Sequence, residues 1–544
     1  MNKLYLLILS ILLLSCQNKI KVDLIVHDAK IYTVDSTFSI QEAMAIKDGK
    51  IKAVGTSQDI LEKYSSPKKI NLNGKFVYPG FNDAHAHLYG LGKNLSQVDL
   101  VETKSFDEII QRIQDFQNKN NKDFIVGRGW DQNDWQDQSF PTKDTLDILF
   151  PDTPVVLTRI DGHAMLVNQK ALDLAGIDKN TKVEGGEIFK KDGKLTGVLI
   201  DNPMALVGAV IPALSKTEIE IALQRAENIV LEHGLTSLTD AGLSKEVIEI
   251  IQDMHENEEL KLRINAMVSN NIDDINYFLA KGIVKTPRLR VGSVKVYADG
   301  ALGSRGAALK EPYSDQDNHF GAMVIGLEDF DNLAKKLSKS TYQMNTHAIG
   351  DSANAVVLKT YDKYLNEKPN RRWRVEHAQV LDPKEYDYFS KNIIPSVQPT
   401  HATSDMYWAE DRLGSERIKH AYAYKTLLDQ AGILPLGTDF PVEKVNPMLT
   451  FFAAVTRQDT DAFPENGFQP QNALSREETL KGMTIWAAYA AFEEDEKGSL
   501  EAGKYADFIV LDEDLMTIDV YGIPKLKVQQ TYINGELVFE LTSD

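Results

Sequence analysis

Cysteine is all but missing from this chain, which holds one, Cys16, among 544 residues. No internal disulfide can form, so neither a disulfide-stapled fold nor a multi-cysteine metal cluster is available. Long apolar runs are lacking too: no stretch of about 18 or more apolar residues occurs, so nothing spans a bilayer as a mature helix. Basic excess is absent, since 79 acidic against 60 basic side chains leave a net charge of −19 spread along the sequence. That balance argues against a nucleic-acid partner, whose binding rests on neutralised phosphates, and leaves small molecules open. Internal repeats and low-complexity segments are also missing, which excludes solenoids. With 43% hydrophobic residues, what remains is a globular chain long enough for several domain-sized units.

At the N-terminus Lys3 precedes an apolar stretch from Leu4 to Leu14, of signal-peptide rather than transmembrane length, and the stretch ends Leu13-Leu14-Ser15-Cys16. This pattern resembles a bacterial lipobox. The resemblance implies removal of residues 1–15 as a signal peptide, Cys16 as the lipid-modified new N-terminus, and an exported cell-envelope lipoprotein anchored to a membrane without spanning it.

Alternating segments at 22–34 and 43–54, the second turned at Asp48-Gly49, and a strand ending near Tyr78 read as a small β unit. The other end looks alike, with an apolar strand at 507–511 and a segment at 530–539 folded on Asn534-Gly535. Residues 21–78 and 498–541 are therefore expected to build one composite β-sandwich. Between them, 79–497 alternates apolar strand-like runs with helical stretches, the pattern of a parallel α/β domain. One helix opens on Ser475-Arg-Glu-Glu478, a capping-box spacing, and carries Leu480, Met483, Trp486, Ala487 and Ala490 on one face. Strand candidates fall at 76–82, 235–240, 262–268, 291–297, 343–347, 374–377, 393–398 and 434–438. That count suits a (β/α)8 TIM barrel, in which roughly 31 residues go to each unit. From His85 to the second strand, however, roughly 120 residues are surplus, too many for a structureless loop. Residues 95–232 are expected to form an insertion or lid subdomain after the first barrel strand, holding Gly127-Arg-Gly-Trp-Asp-Gln-Asn-Asp-Trp135 and Asp161-Gly-His-Ala164.

The sharpest chemical signal is Asn82-Asp-Ala-His-Ala-His87, at the end of the first strand. If the strand continues, alternate residues point to one side, and His85 and His87 stand together as a metal site needs. Further potential ligands end later strands: Lys295 in Val-Lys-Val-Tyr, His347 in Asn-Thr-His-Ala, His377 in Val-Glu-His-Ala and Asp439 in Gly-Thr-Asp-Phe. The intervals 295 to 347 and 347 to 377, 52 and 30 residues, are one unit each if the first has an extended loop, and the 62 from 377 to 439 are two. The ligands then lie on strands one, four, five, six and eight, at the face where barrel active sites sit.

The segments Pro79-Gly-Phe-Asn-Asp-Ala-His-Ala-His87, Val294-Lys-Val-Tyr-Ala-Asp-Gly-Ala-Leu-Gly-Ser-Arg305, Thr346-His-Ala-Ile-Gly-Asp351, Val375-Glu-His377 and Gly437-Thr-Asp439 together resemble the amidohydrolase superfamily, family 3. The resemblance extends over nearly all of the mature chain, to Gly498-Ser-Leu-Glu-Ala-Gly-Lys-Tyr-Ala-Asp507. N-substituted formamide deformylases belong to this branch. It implies a composite sandwich beside a metal-dependent barrel hydrolase, with zinc as the expected ion, one or two per site. Carried over by position, His85 and His87 bind one metal, His347 and His377 a second, and Lys295, carboxylated on its amine, bridges them. A free ammonium offers no lone pair, whereas a carbamate offers two anionic oxygens. The alternative is an ordinary Lys295 paired with Asp299 and a mononuclear site.

Asp439, beside the metal, is the expected proton handler for a water whose pKa a metal lowers to around 7. Asp83 either orients a ligand imidazole or caps the strand end. His163, from the insertion, and His401, past the seventh strand, are candidates to contact substrate or steady an oxyanion. Trp130 and Trp135 either wall a substrate pocket or pack the insertion core, and Arg305 either binds a carboxylate or rigidifies its loop by a salt bridge. His27, His233, His255, His319 and His420 read as structural or surface groups. The expected function is hydrolysis of a non-peptide C–N bond of a small molecule by metal-activated hydroxide. The alternatives are an ester, lactone or phosphoester hydrolase on the same metals, or a solute-binding lipoprotein that has lost catalysis. A homo-oligomer is compatible with all of this.

Overall fold

The computed structural model describes residues 19–366 and 370–542. The expected signal segment and Cys16 lie outside the described residues. Among those described, no helix is long and apolar enough to cross a membrane.

Two β-sheets are built from the chain ends. One runs in the order Lys50–Gly55, Ala43–Lys47, Leu24–His27, Lys68–Asn71; the other runs Glu536–Glu540, Val528–Ile533, Phe508–Leu511, Phe76–Pro79, Lys30–Tyr32, Ile40–Gln41. Phe508–Leu511 lies antiparallel to Phe76–Pro79, so C-terminal and N-terminal strands share one sheet. Their inner faces bury Val26, Ile31, Met44, Val77, Phe508 and Tyr532 together. Both hairpins turn through left-handed residues, Asp48 and Gly49 at φ 51° and 73°, Asn534 and Gly535 at 55° and 70°. Asn, Asp and Gly adopt that region at least cost, and two such residues in succession match the twist of the flanking strands.

The barrel consists of β1 (Phe81–Ala86), β2 (Leu235–Leu243), β3 (Arg263–Val268), β4 (Leu289–Tyr297), β5 (Gln343–Ala348), β6 (Arg374–His377) and β7 (Ile394–Ser396). Each pairs in parallel with the next. Residues 434–438 take the eighth place without forming a regular strand. Leu436 bridges Val397, while Ala84 N–H donates to Leu436 O and Asp439 N–H to His85 O, at 3.1 and 2.8 Å. Pro435 has no N–H to give a ladder, and Gly437 packs so closely that a Cβ there would lie 2.6 Å from His85 N. Closure therefore runs through single bonds.

The first strand departs from its expected span. Residues 76–82 split at Gly80, whose N–H donates to Asp507 O of the sandwich while Phe81 N–H donates to Gly234 O beside β2. A Cβ at Gly80 would stand 2.2 Å from Thr236 Oγ1, so only glycine lets the chain cross between sheets there. The insertion has its own six-stranded sheet, from Val98–Asp99 to Lys194–Asp201 in sequence, and an apolar cluster that includes Ile109, Trp130, Leu146 and Leu157. It ends earlier than expected: the helix Lys216–Glu232 sends Ile219, Leu223, Ala226 and Val230 into the barrel core. Near the C-terminus the single expected helix is two, Arg476–Gly482 and Ile485–Ala490. The Ser475–Glu478 capping box is present, but Met483 O accepts the N–H of Asn82 at 2.8 Å, which draws the backbone off the helix at Thr484.

Candidate metal centre

His85 in β1, Lys295 in β4, His347 in β5, His377 at the end of β6 and Asp439 after the eighth segment all converge at one end of the barrel. His85, His377 and Asp439, all buried, present ligand atoms within 4.8 Å of one another. His87 Nε2 lies 3.1 Å from Asp439 Oδ1, Lys295 Nζ lies 3.1 Å from His85 Nε2, and the His347 ring sits 4.5 Å from that of His377. His377 and Asp439 both have left-handed backbone, φ 72° and 61°. Non-glycine residues in that region persist where neighbours over-determine them, as at functional sites.

The hydrogen bonds decide which imidazole nitrogen carries a lone pair. His85 Nδ1 donates to Glu376 Oε2 at 2.6 Å, which leaves Nε2 facing Lys295 and Asp439. His377 Nδ1 donates to Gln398 Oε1 at 2.8 Å, and His347 Nε2 to Gly300 O at 3.3 Å, since a carbonyl only accepts. Burial, helped by the Lys295 charge, pushes His85 down to about 4. Burial and neighbouring histidines hold His347 and His377 well below the usual range. All three are neutral with one nitrogen open, the form that binds a metal.

Carboxylates surround them. Burial opposes charge on Glu376, but Arg374 and His85 hold its carboxyl well below the usual range; Arg374 Nε stands 2.7 Å from Glu376 Oε1. Asp439 is likewise held low against burial by the imidazoles of His401 and His87, with His401 Nε2 at 3.1 Å from Oδ2 and His401 Nδ1 at 3.0 Å from Glu443 Oε1. Burial pushes Lys295 down to about 8. It is not paired with Asp299, which instead accepts the N–H groups of Ala308, Ile349 and Gly350 at 2.8–3.0 Å. Asp83 ties β1 to the eighth segment, accepting from His85 N–H at 3.0 Å and Thr438 Oγ1 at 2.6 Å, and touches no imidazole ring.

A cavity of about 1000 Å³ opens over these groups, walled by barrel and insertion together. His163 and His401 both line it; His163 Nδ1 bonds Asp201 Oδ1 at 2.7 Å and its ring lies 4.8 Å from that of His347. Two expected substrate contacts do not reach it. Trp130 is fully buried in the insertion core, its Nε1 donating to Leu157 O at 2.8 Å, and Trp135 packs beside it at 6.3 Å between ring centroids. Arg305 turns away to Asp315, at 2.7 Å, and so braces its own loop. His233, expected as structural or surface, lines the cavity. Sequence reasoning missed Glu376 and Glu443. Arg374 and Glu376, two apart in one short buried strand, share a face and were a readable sign of a buried ion pair.

The donor set fits a divalent cation. Asp439 Oδ1 is buried without a hydrogen bond although two imidazoles stand 3.1 and 3.7 Å away. An orphaned anionic oxygen beside open imidazole nitrogens is costly unless a cation completes it.

Comparison with known proteins agrees. The Amidohydrolase family model matches residues 68–539, and the chain belongs to that family. It is 34% identical over 525 residues to the Bacillus subtilis (strain 168) protein YtcJ, an amidohydrolase by name, covering 94% of this chain and 99% of that one. With the N-substituted formamide deformylase of Arthrobacter pascens it shares 26% identity over 549 residues, 96% and 99% of the two chains. A metal-dependent hydrolase of Pyrococcus horikoshii OT3 superposes with a TM-score of 0.75 at 28% identity, over 92% of this chain and 99% of the other. The protein is thus a metal-dependent hydrolase of the amidohydrolase family, on a nearly closed parallel barrel of the TIM type.

Proposed function

We propose that this chain hydrolyses a non-peptide C–N bond of amide type in a small molecule. The observation that carries the reading is Asp439, which turns one bare oxygen to the His85–His377 donors and sets the other against His401, below a cavity of small-molecule size. A divalent ion held there, zinc by the imidazole and carboxylate donors, supplies Lewis acidity and lowers the pKa of a water to about 7. Asp439 takes up the water's proton and delivers it to the departing nitrogen. His401, held charged between Asp439 and Glu443, fixes that carboxylate in place. His163, its Nδ1 engaged by Asp201, leaves Nε2 to donate to the carbonyl oxygen as charge develops.

Lys295 deepens the site. Its buried amine has an imidazole nitrogen as its near neighbour and makes no ion pair among the described residues. Carboxylation would replace an awkward buried cation with ligand oxygens and suit a second ion beside His347. Labelled bicarbonate and carbon-13 NMR read this directly: a carbamate resonance lost in Lys295→Ala supports it, and its absence from fully metal-loaded enzyme overturns it. We also place the chain at the cell envelope, held by lipid on Cys16.

The bond class is tested with metal-loaded protein on N-substituted formamides, other amides, matched esters, lactones and phosphoesters. Turnover of amides above their ester counterparts supports the proposal. Turnover confined to esters, lactones or phosphoesters overturns it, and tight binding with no turnover anywhere favours a solute-binding role.

A further inference from the structure

Arg128, in the insertion strand Ile125–Trp130, has no part in the chemistry above, yet it lines the same cavity as the donor set. Its Nη2 donates to Ile160 O at 3.1 Å, its buried Nε has no partner, and it makes no ion pair among the described residues. Lys93, on the helix Leu88–Asn94, lines that cavity too, and its Nζ makes neither a hydrogen bond nor an ion pair among the described residues. Its Nζ rests 4.9 Å from the Tyr89 ring centroid. Burial and the nearby Arg128 charge push Lys93 below its usual range.

Most acidic groups of the cavity are already engaged, the bare Asp439 Oδ1 of the donor set being an exception. Arg159 binds Asp131 and Asp161, His401 and Ser404 take Glu443, and Asp240 accepts the N–H of Tyr89 at 3.1 Å. Arg159 is the internal contrast: a buried guanidinium with a structural task in this subdomain is closed by carboxylates, and Arg128 is not. The backbone around Arg128 is also built to hold it. Gly129, at φ 119°, lies so flush on the turn after the strand Val98–Asp99 that a Cβ would stand 2.5 Å from Val101 Cγ2, and Gly162 leaves room for the guanidinium, where a Cβ would stand 3.1 Å from Nη2.

We propose that Arg128 and Lys93 form a carboxylate subsite, so that the substrate carries a carboxylate on the part remote from the cleaved bond. This rests on the proposed amide hydrolysis and names its substrate class. A guanidinium fork matches a carboxylate in two parallel hydrogen bonds, and a half-buried wall of two unpaired cations gains most from such a partner.

Calorimetry on metal-loaded protein tests it with succinate, glutarate, adipate and pimelate against butyrate, which has a single carboxylate for the metal. One of the dicarboxylates is expected to bind roughly 10–100-fold more tightly than butyrate. Arg128→Gln should abolish that advantage while metal content and butyrate affinity stay the same. Lys93→Met, on a different element, should reduce it, and carries the test if Arg128→Gln melts early. Equal binding of dicarboxylates and butyrate by the wild type, or an advantage kept in both variants, overturns the subsite. The two proposals separate: a dicarboxylate advantage with no amide turnover strikes the bond class alone, while amide turnover indifferent to a remote carboxylate strikes the subsite alone.

Discussion

Metal holding and proton transfer meet on Asp439 but part from each other at its neighbours. Asp439→Asn keeps an oxygen for the cation and loses the ability to accept a proton, so turnover should fall roughly 10²–10⁴-fold with much of the metal retained. Steady-state rates read beside metal analysis check this, and near-normal turnover would refute the assigned role. Glu376 acts through His85, holding its Nδ1–H at 2.6 Å. Glu376→Gln leaves Arg374 buried beside a neutral partner and weakens the orientation of the ring, so metal affinity should drop about 10–100-fold. Metal titration is the readout; unchanged affinity would leave Glu376 a structural ion pair only.

Among the elements, the insertion and the sandwich carry separate predictions. Trp130 lies in the insertion core rather than the cavity, so Trp130→Ala should cost about 3–5 kcal/mol in stability. Loss of hydrogen-exchange protection within the insertion sheet would show it; unchanged stability with a raised KM would return Trp130 to the substrate wall. In the sandwich, buried Asp514 accepts from Lys30, Tyr32 and Tyr78 at 2.7–2.9 Å. Burial opposes its charge, but these donors lower its pKa from 3.8. A carboxyl lowered on folding adds stability above its unfolded pKa and loses it as pH falls through the folded one. The urea midpoint should therefore fall below about pH 4, with a shallower dependence in Asp514→Asn; equal slopes would contradict this. Why some elements were legible follows from the same physics. Hairpins at Asp48-Gly49 and Asn534-Gly535 announce themselves through turn chemistry, and ligands at strand ends through a unit length of about 30 residues. The helix Lys216–Glu232 carried a readable capping box, Ser215-Lys-Thr-Glu218, yet an inserted subdomain and a barrel helix look alike until their apolar faces find partners. Tryptophan was ambiguous for a similar reason, since a pocket wall and a core both bury aromatic area.

In the molecule as a whole, barrel and insertion wall one cavity, whose floor is legible in the sequence and whose walls are legible only in part. His85, His347, His377 and Asp439 sit at predictable ends of strands, whereas Arg128, Lys93 and Glu443 come together only through the packing of insertion on barrel. The proposed attachment to the envelope concerns the whole chain and rests on one residue, Cys16. Cys16→Ser, expressed in a bacterium that processes lipoproteins, should leave the protein soluble or unprocessed; unchanged membrane fractionation with no lipid label on the wild type would end that proposal. The central claim is that His85, His377 and Asp439 hold a divalent ion on which hydrolysis depends. Metal content per chain, measured on purified wild type beside His85→Ala and His377→Ala, tests it most directly. The wild type should carry at least one divalent ion, lost together with activity from both variants; a metal-free wild type that hydrolyses its substrate in the presence of chelator would contradict this.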